Sequence, residues 1–234
     1  MCKGTVLARD LVNERSDVMN PAGLEDVAAE IASRTPGMEL RVLKGDDLEG
    51  MNLLKAVGQA ASVPPRIIAL EYRSDGKNAE SVSVFVGKVR LAPCARAGCQ
   101  CDTRLPAQGI TFDTAFIVAA AENAIGSEAY KPHAIVKSLR GPSVRVDNTD
   151  AEGRLALADA MWYAQQEYRP HTMVDVATLT GACVVALGDY VAGMWSNDDE
   201  LAEKLVRAGA TTHERVWHMP LLPEYAAELK TKQA

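Results

Sequence analysis

The sequence predicts an α/β protein of three layers, with a mostly parallel central sheet flanked by helices, and three observations carry that prediction. Short apolar runs of strand length alternate with segments whose apolar residues recur every three or four positions. Two of the runs, Ile67-Ile68-Ala69-Leu70 and Val82 to Val86, are nearly continuous, as strands covered on both faces are. Pro and Gly fall between the periodic segments, where they stop helices and make turns. With 234 residues, 47% of them hydrophobic and 24% charged, the chain can bury a substantial core and has neither a disordered nor a fibrous composition.

Taken in order, Asn20 is a helix cap with Pro21 in the first turn, and Leu24, Val27, Ala28 and Ile31 line one face of a helix that Pro36-Gly37 ends. Met38 to Leu43 reads as a short strand. Asp46 to Ala60 reads as a helix, with Met51, Leu54 and Val57 at intervals of three, closed by Pro64-Pro65. Arg66 to Tyr72 and Ser81 to Gly87 are the two apolar strands, with a turn at Ser74 to Asn78 between them. Further on, His171 to Leu179 is expected as a buried strand, Thr180 to Leu187 as a short helix and Val191 to Trp195 as another strand. Asn197 is expected to cap a helix, with Glu200 completing a capping box and Leu201, Leu205 and Ala208 facing inward. Pro223 opens a last helix expected to run to the C-terminus. Val89 to Gln108 has neither period and reads as an irregular loop. Its cysteines, Cys94, Cys99 and Cys101, lack a fourth partner at zinc-finger spacing.

The net charge of −6 gives no electrostatic reason to expect nucleic acid or an anionic membrane as partner. No apolar run approaches bilayer-spanning length. Five cysteines, an odd number, follow an N-terminus without a signal pattern, which points to a reducing, cytoplasmic setting. His133, His171, His213 and His218 form no His-Glu-x-x-His pair, and neither a Gly-x-Ser-x-Gly elbow nor a phosphate-cradling loop is present.

The densest chemistry lies in Asn148 to Asp159. In an extended backbone Asp150, Glu152 and Arg154 project from one face, where two carboxylates can grip a hard metal ion and a guanidinium can hold a planar anion. Thr149 and Glu152 are also spaced as a capping box, so the same letters can simply begin a helix. After Gly153 the period turns helical, with Leu157, Ala160, Met161 and Ala164 on one face.

The string Asn148-Thr149-Asp150-Ala151-Glu152-Gly153-Arg154-Leu155 resembles the signature of the leucyl aminopeptidases, the cytosolic two-metal exopeptidases of family M17. Ala8 to Glu14, Ala121 to Gly126, Tyr130-Lys131-Pro132 and Ala177 to Ala182 resemble other segments of that catalytic domain. Gly109-Ile110-Thr111-Phe112-Asp113 resembles its metal-binding element, except that Gln108 stands where the family has a lysine. Removing Val89 to Gln108 joins Val86-Gly87-Lys88 to Gly109, so Lys88 matches that lysine, displaced by an insertion of 20 residues. A solvated strand-end lysine is the alternative. After Thr114 the family continues with Gly-Gly, a catalytic lysine and a further metal-binding Asp, whereas this chain passes through Ala115-Phe116 into Ile117-Val118.

The resemblance implies a single partial catalytic domain over residues 1–234, interrupted by the loop at 89–108 and lacking the family's smaller N-terminal domain and its C-terminal part. It implies two divalent ions, Mn²⁺ or Zn²⁺ and possible Mg²⁺, bridged by Asp150 and Glu152 and completed by Asp113 and Lys88. Arg154 would hold a bicarbonate acting as general base, and Asn148, Thr178, Leu179 and Gly181 would line the substrate pocket. The implied reaction is hydrolysis of the N-terminal residue of peptides by a homo-oligomer, a hexamer in the family. A catalytically impaired relative with a structural or assembly role is the other reading, because the second lysine and Asp have no counterpart.

Overall fold

The computed structural model describes residues 3–74, 82–90 and 113–230. Met1–Thr178 and Leu179–Gln233 form separate compact units.

The first unit begins with α1 (Lys3–Asn13) and α2 (Pro21–Arg34), then β1 (Met38–Lys44). As expected, Asn20 caps α2, its side-chain oxygen accepting from the Ala22 and Gly23 N–H groups. The expected helix from Asp46 to Ala60 is instead broken into a 3-10 turn (Gly45–Leu48) and α3 (Asn52–Gly58). The break falls at Gly50, whose φ of +80° is left-handed, and a Cβ there would lie 2.9 Å from Leu139 Cδ1. Met51, Leu54 and Val57 are nevertheless all buried.

β2 (Arg66–Tyr72), β3 (Ser83–Arg90), β4 (Thr114–Ala121) and β7 (Thr172–Ala177) complete a five-stranded sheet in the order β1-β2-β4-β3-β7. β3 is parallel to both β4 and β7, while β2 runs antiparallel to its neighbours β1 and β4. The strands therefore run one way except β2. Between β4 and β7 lie a two-stranded hairpin, β5 (Ile135–Lys137) and β6 (Ser143–Arg145), and the long α4 (Glu152–Tyr168).

Alternation of side chains along the strands gives the sheet two buried faces. One packs Ile67, Ala69, Val84, Val86, Ile117 and Ala119 against α3 and α4. The other packs Ile68, Leu70, Val118 and Ala120 against Leu24, Ala28 and Ile31 of α2. The three-layer α/β expectation holds. β7 departs from its expected burial, since it pairs only with β3 among the described residues and leaves Val176 60% exposed. The loop expected at Val89 to Gln108 starts later than predicted, because Val89 and Arg90 belong to β3; residues 91–108, with Cys94, Cys99 and Cys101, lie outside the described residues.

The second unit contains α5 (Ala182–Leu187), β8 (Ala192–Met194), α6 (Asp199–Thr212), β9 (Val216–His218) and a final 3-10 segment (Pro223–Leu229) where an α-helix was expected. β8 and β9 pair in parallel. The cap of α6 is Asp198 and not Asn197: its carboxylate accepts the Leu201 N–H at 3.0 Å. Ala202 and Gly209 are the buried residues of α6, and Ala208 is exposed, so the inward face is rotated from the one expected. No helix among the described residues is long and apolar enough to cross a membrane.

Candidate metal centre where β3 meets α4

Lys88 is the sixth residue of β3 and lies between Ala119 of β4 and Ala177 of β7. Two alanine neighbours leave room above the strand for a long side chain. Its parity along β3 matches Val84 and Val86, so it faces α4. Lys88 Nζ donates to Glu152 Oε1 at 2.8 Å, and each side chain is only 4% exposed. The solvated-lysine reading is thereby set aside. A buried charge of either sign is costly alone, so each makes the other tolerable. Glu152 is also the first residue of α4, where the positive end of the helix dipole favours its negative charge.

The turn leading into α4 is held by its own polar groups. Asn148 Oδ1 accepts the Asp150 N–H at 2.9 Å, and the Asn148 carbonyl accepts the Ala151 N–H at 3.1 Å. The Thr149 carbonyl accepts from Tyr130 Oη at 2.6 Å and Asn123 Nδ2 at 3.0 Å. The expected capping box does not form. Ala151 occupies the cap position, no side chain caps the helix, and the Glu152 carboxylate turns to Lys88. Nor is the stretch extended: Asp150 lies in the turn, Glu152 opens the helix, and Arg154 is exposed in its first turn. The helical face after Gly153 is as expected, with Leu157, Ala160 and Ala164 buried and Met161 packed beside them.

Asp113 is not brought to this place. β4 starts at Thr114, which pairs with Ser83 at the opposite end of β3 from Lys88. Six residues of strand separate the two levels, about 20 Å at 3.3 Å per residue. There the Asp113 carboxylate accepts from the Ser74 N–H at 2.9 Å and the Ser74 hydroxyl at 3.1 Å. Of the pocket residues, Asn148 shapes the turn, and exposed Thr178 directly follows Ala177, the neighbour of Lys88. Leu179 and Gly181 belong to the second unit, Gly181 immediately preceding α5.

Three residues matter here that no sequence expectation assigned a role. Asp159, two turns after Glu152 and fully buried, accepts the N–H groups of Leu53 (2.9 Å), Leu54 (3.2 Å) and Leu139 (2.8 Å). It thus joins α3 and the β5–β6 hairpin to α4. Burial raises its carboxyl above the ordinary range, against the opposing pull of these hydrogen bonds. Its signal was an acid seven residues from Glu152 in an apolar helix face. Asn123 and Tyr130 lie in segments that the family resemblance had picked out, without a role attached.

The Lys88 amine with the Asp150 and Glu152 carboxylates is a nitrogen and oxygen donor set that suits one hard or borderline divalent ion. Among the described residues no three His, Cys, Asp or Glu side chains gather into a metal-holding group. Of the implied ligand set the structure pairs Lys88 with Glu152 and leaves Asp113 at the far end of the strand.

The profile of the cytosol aminopeptidase family, catalytic domain, matches residues 6–89 and 102–234. The unmatched residues 90–101 fall inside the expected insertion. Similar curated proteins are the probable cytosol aminopeptidases of Syntrophotalea carbinolica, 40% identical over 99% of this chain and 50% of its own length, and of Sinorhizobium fredii, 37% identical with the same coverage. Among solved structures, a mutant tomato leucine aminopeptidase superposes with a TM-score of 0.91 at 33% identity, over 98% of this chain and 48% of that one. The bottromycin maturation enzyme BotP in complex with Mn gives 0.88 at 29% identity, over 98% and 55%. The chain spans about half the length of the curated relatives it matches. A profile that covers both sides of the interrupted loop, together with a TM-score of 0.91 to a leucine aminopeptidase, shows that the chain belongs to the cytosol aminopeptidase family.

Proposed function

We propose that this chain carries a divalent-metal centre of the aminopeptidase type, formed by Lys88, Asp150 and Glu152, which serves hydrolysis of the N-terminal residue of peptides. The observation that carries the reading is the buried Lys88–Glu152 pair, which joins two predicted metal ligands 64 residues apart in the chain. Mn²⁺ and Zn²⁺ suit an amine with two carboxylates, and Mg²⁺ suits the carboxylates alone. The chemistry such an ion supplies is Lewis-acid polarisation of the scissile carbonyl and a bound water of lowered pKa. Arg154, exposed on the first turn of α4, would anchor a bicarbonate as proton acceptor, as the family resemblance implies. Asn148, Thr178, Leu179 and Gly181 enter this reading as substrate contacts by family resemblance alone. A cytoplasmic setting and a homo-oligomer, a hexamer by resemblance, complete the reading.

A second reading, a catalytically impaired family member with a structural or assembly role, is favoured by one observation, the position of Asp113 at the wrong end of β4. The two separate in one assay. Purified chain is incubated with leucine p-nitroanilide and Mn²⁺ beside Asp150→Asn. The exopeptidase reading expects hydrolysis at least about tenfold above that variant, in line with the loss of one metal ligand. Equal rates establish the second reading.

A further inference from the structure

Asp113 is the one predicted ligand that the fold removes from the metal centre, and the cause is visible in the topology. β3 and β4 are parallel and in register from Ser83 opposite Thr114 to Arg90 opposite Ala121. A residue placed just before β4 must therefore stand at the leading end of the sheet, whereas Lys88 stands at the trailing end. Asp113 is followed at once by Thr114, the first residue of the strand, so no chain remains between them to carry the carboxylate across. Side chains that ligate a common ion place their donor atoms 2–2.6 Å from it. Reach on that scale cannot close about 20 Å of strand.

Nor is Asp113 idle where it stands. Its Oδ1 accepts both the backbone N–H and the hydroxyl of Ser74, and its carbonyl accepts the Ser83 N–H at 3.0 Å. Ser74 follows β2, Ser83 begins β3, and Asp113 immediately precedes β4. One residue thus ties together the ends of three adjacent strands.

We infer that this chain holds one divalent ion and not two, at Lys88, Asp150 and Glu152, and that Asp113 is a strand-end clamp which takes no part in metal binding. The inference rests on the metal centre proposed above and changes its stoichiometry. The test is Mn²⁺ titration of the purified chain by calorimetry, with bound metal counted by elemental analysis, on wild type, Glu152→Gln, Asp113→Asn and Asp113→Ala. One ion per chain is expected, weakened at least about tenfold in Glu152→Gln and unchanged within twofold in both Asp113 variants. Asp113→Asn keeps an acceptor for Ser74 and is expected to melt close to wild type, while Asp113→Ala melts about 2–4 °C lower. Two ions per chain, or a tenfold affinity loss in Asp113→Asn, overturns the inference and leaves the metal centre standing. No bound ion at all overturns both.

Discussion

Glu152 and Asp159 lie seven residues apart on the same face of α4, both buried, yet they are satisfied in different currencies of interaction. Glu152 meets an opposite charge, Lys88 Nζ, at 2.8 Å. Asp159 meets three backbone N–H groups and, among the described residues, no charged partner at hydrogen-bond distance. A carboxylate surrounded by backbone donors has its acceptor capacity committed to holding elements in place. One paired with a lysine amine keeps a partner that is itself a possible ligand, and an incoming cation can replace the pairing charge. The first turn of α4 is therefore the part of the helix suited to chemistry, and the second and third turns are the part suited to architecture.

The largest effect expected from breaking this contrast is at Asp159. Asp159→Ala strands three buried N–H groups, each costing about 1–3 kcal/mol, and urea unfolding should show a loss of about 4–6 kcal/mol. A loss under about 2 kcal/mol would show that α3 and the Leu139 turn hold without it. The next effect is at the pair. Glu152→Leu leaves the Lys88 charge buried alone and should cost about 3–5 kcal/mol, whereas Lys88→Met with Glu152→Leu should recover most of that, because a well-packed apolar pair replaces a buried ion pair at little cost. Failure of the double variant to recover would mean that the site needs the charges for its fold.

The smallest effect is a pH dependence. Burial holds the folded pKa of Asp159 above its unfolded value, so the native state binds the proton more readily than the unfolded chain does. The corresponding stability is fully present below the ordinary carboxylate range, near 3.9, and is lost as pH rises through the raised value. The stability margin of wild type over Asp159→Asn should therefore shrink steadily as pH is raised from about 4 to 7. A margin that grows with pH would mean that the three N–H donors outweigh burial.

Much of the fold was legible residue by residue. Asn20 with Pro21 announced α2, and the run Arg66 to Tyr72 was β2 to the residue. These signals are local: a cap bonds to N–H groups two and three residues ahead, and a doubly covered strand must be apolar along its length. The expectations that failed are those in which a distant residue changed a local preference. The helix from Asp46 broke at Gly50 because Leu139 packs there and Asp159 takes the N–H groups of Leu53 and Leu54. The capping box at Thr149 was lost because Glu152 had Lys88 within reach. The predicted ligand set divided on the same principle, Lys88 arriving by way of β3 and Asp113 left behind by the direction of β4.

By itself the sequence determined that this is an α/β chain of the cytosol aminopeptidase family and singled out Asp150, Glu152 and Arg154 as candidates for its chemistry, since family signature and periodicity are written in adjacent letters. Tertiary structure alone decided which of the distant partners reach that stretch. Strand direction and register convert a position in the chain into a place on the sheet, and a shift of a few residues at 3.3 Å each moves a carboxylate from one end of the sheet to the other. Lys88 and Asp113 look equally good as letters, and only the register of β3 on β4 separates them.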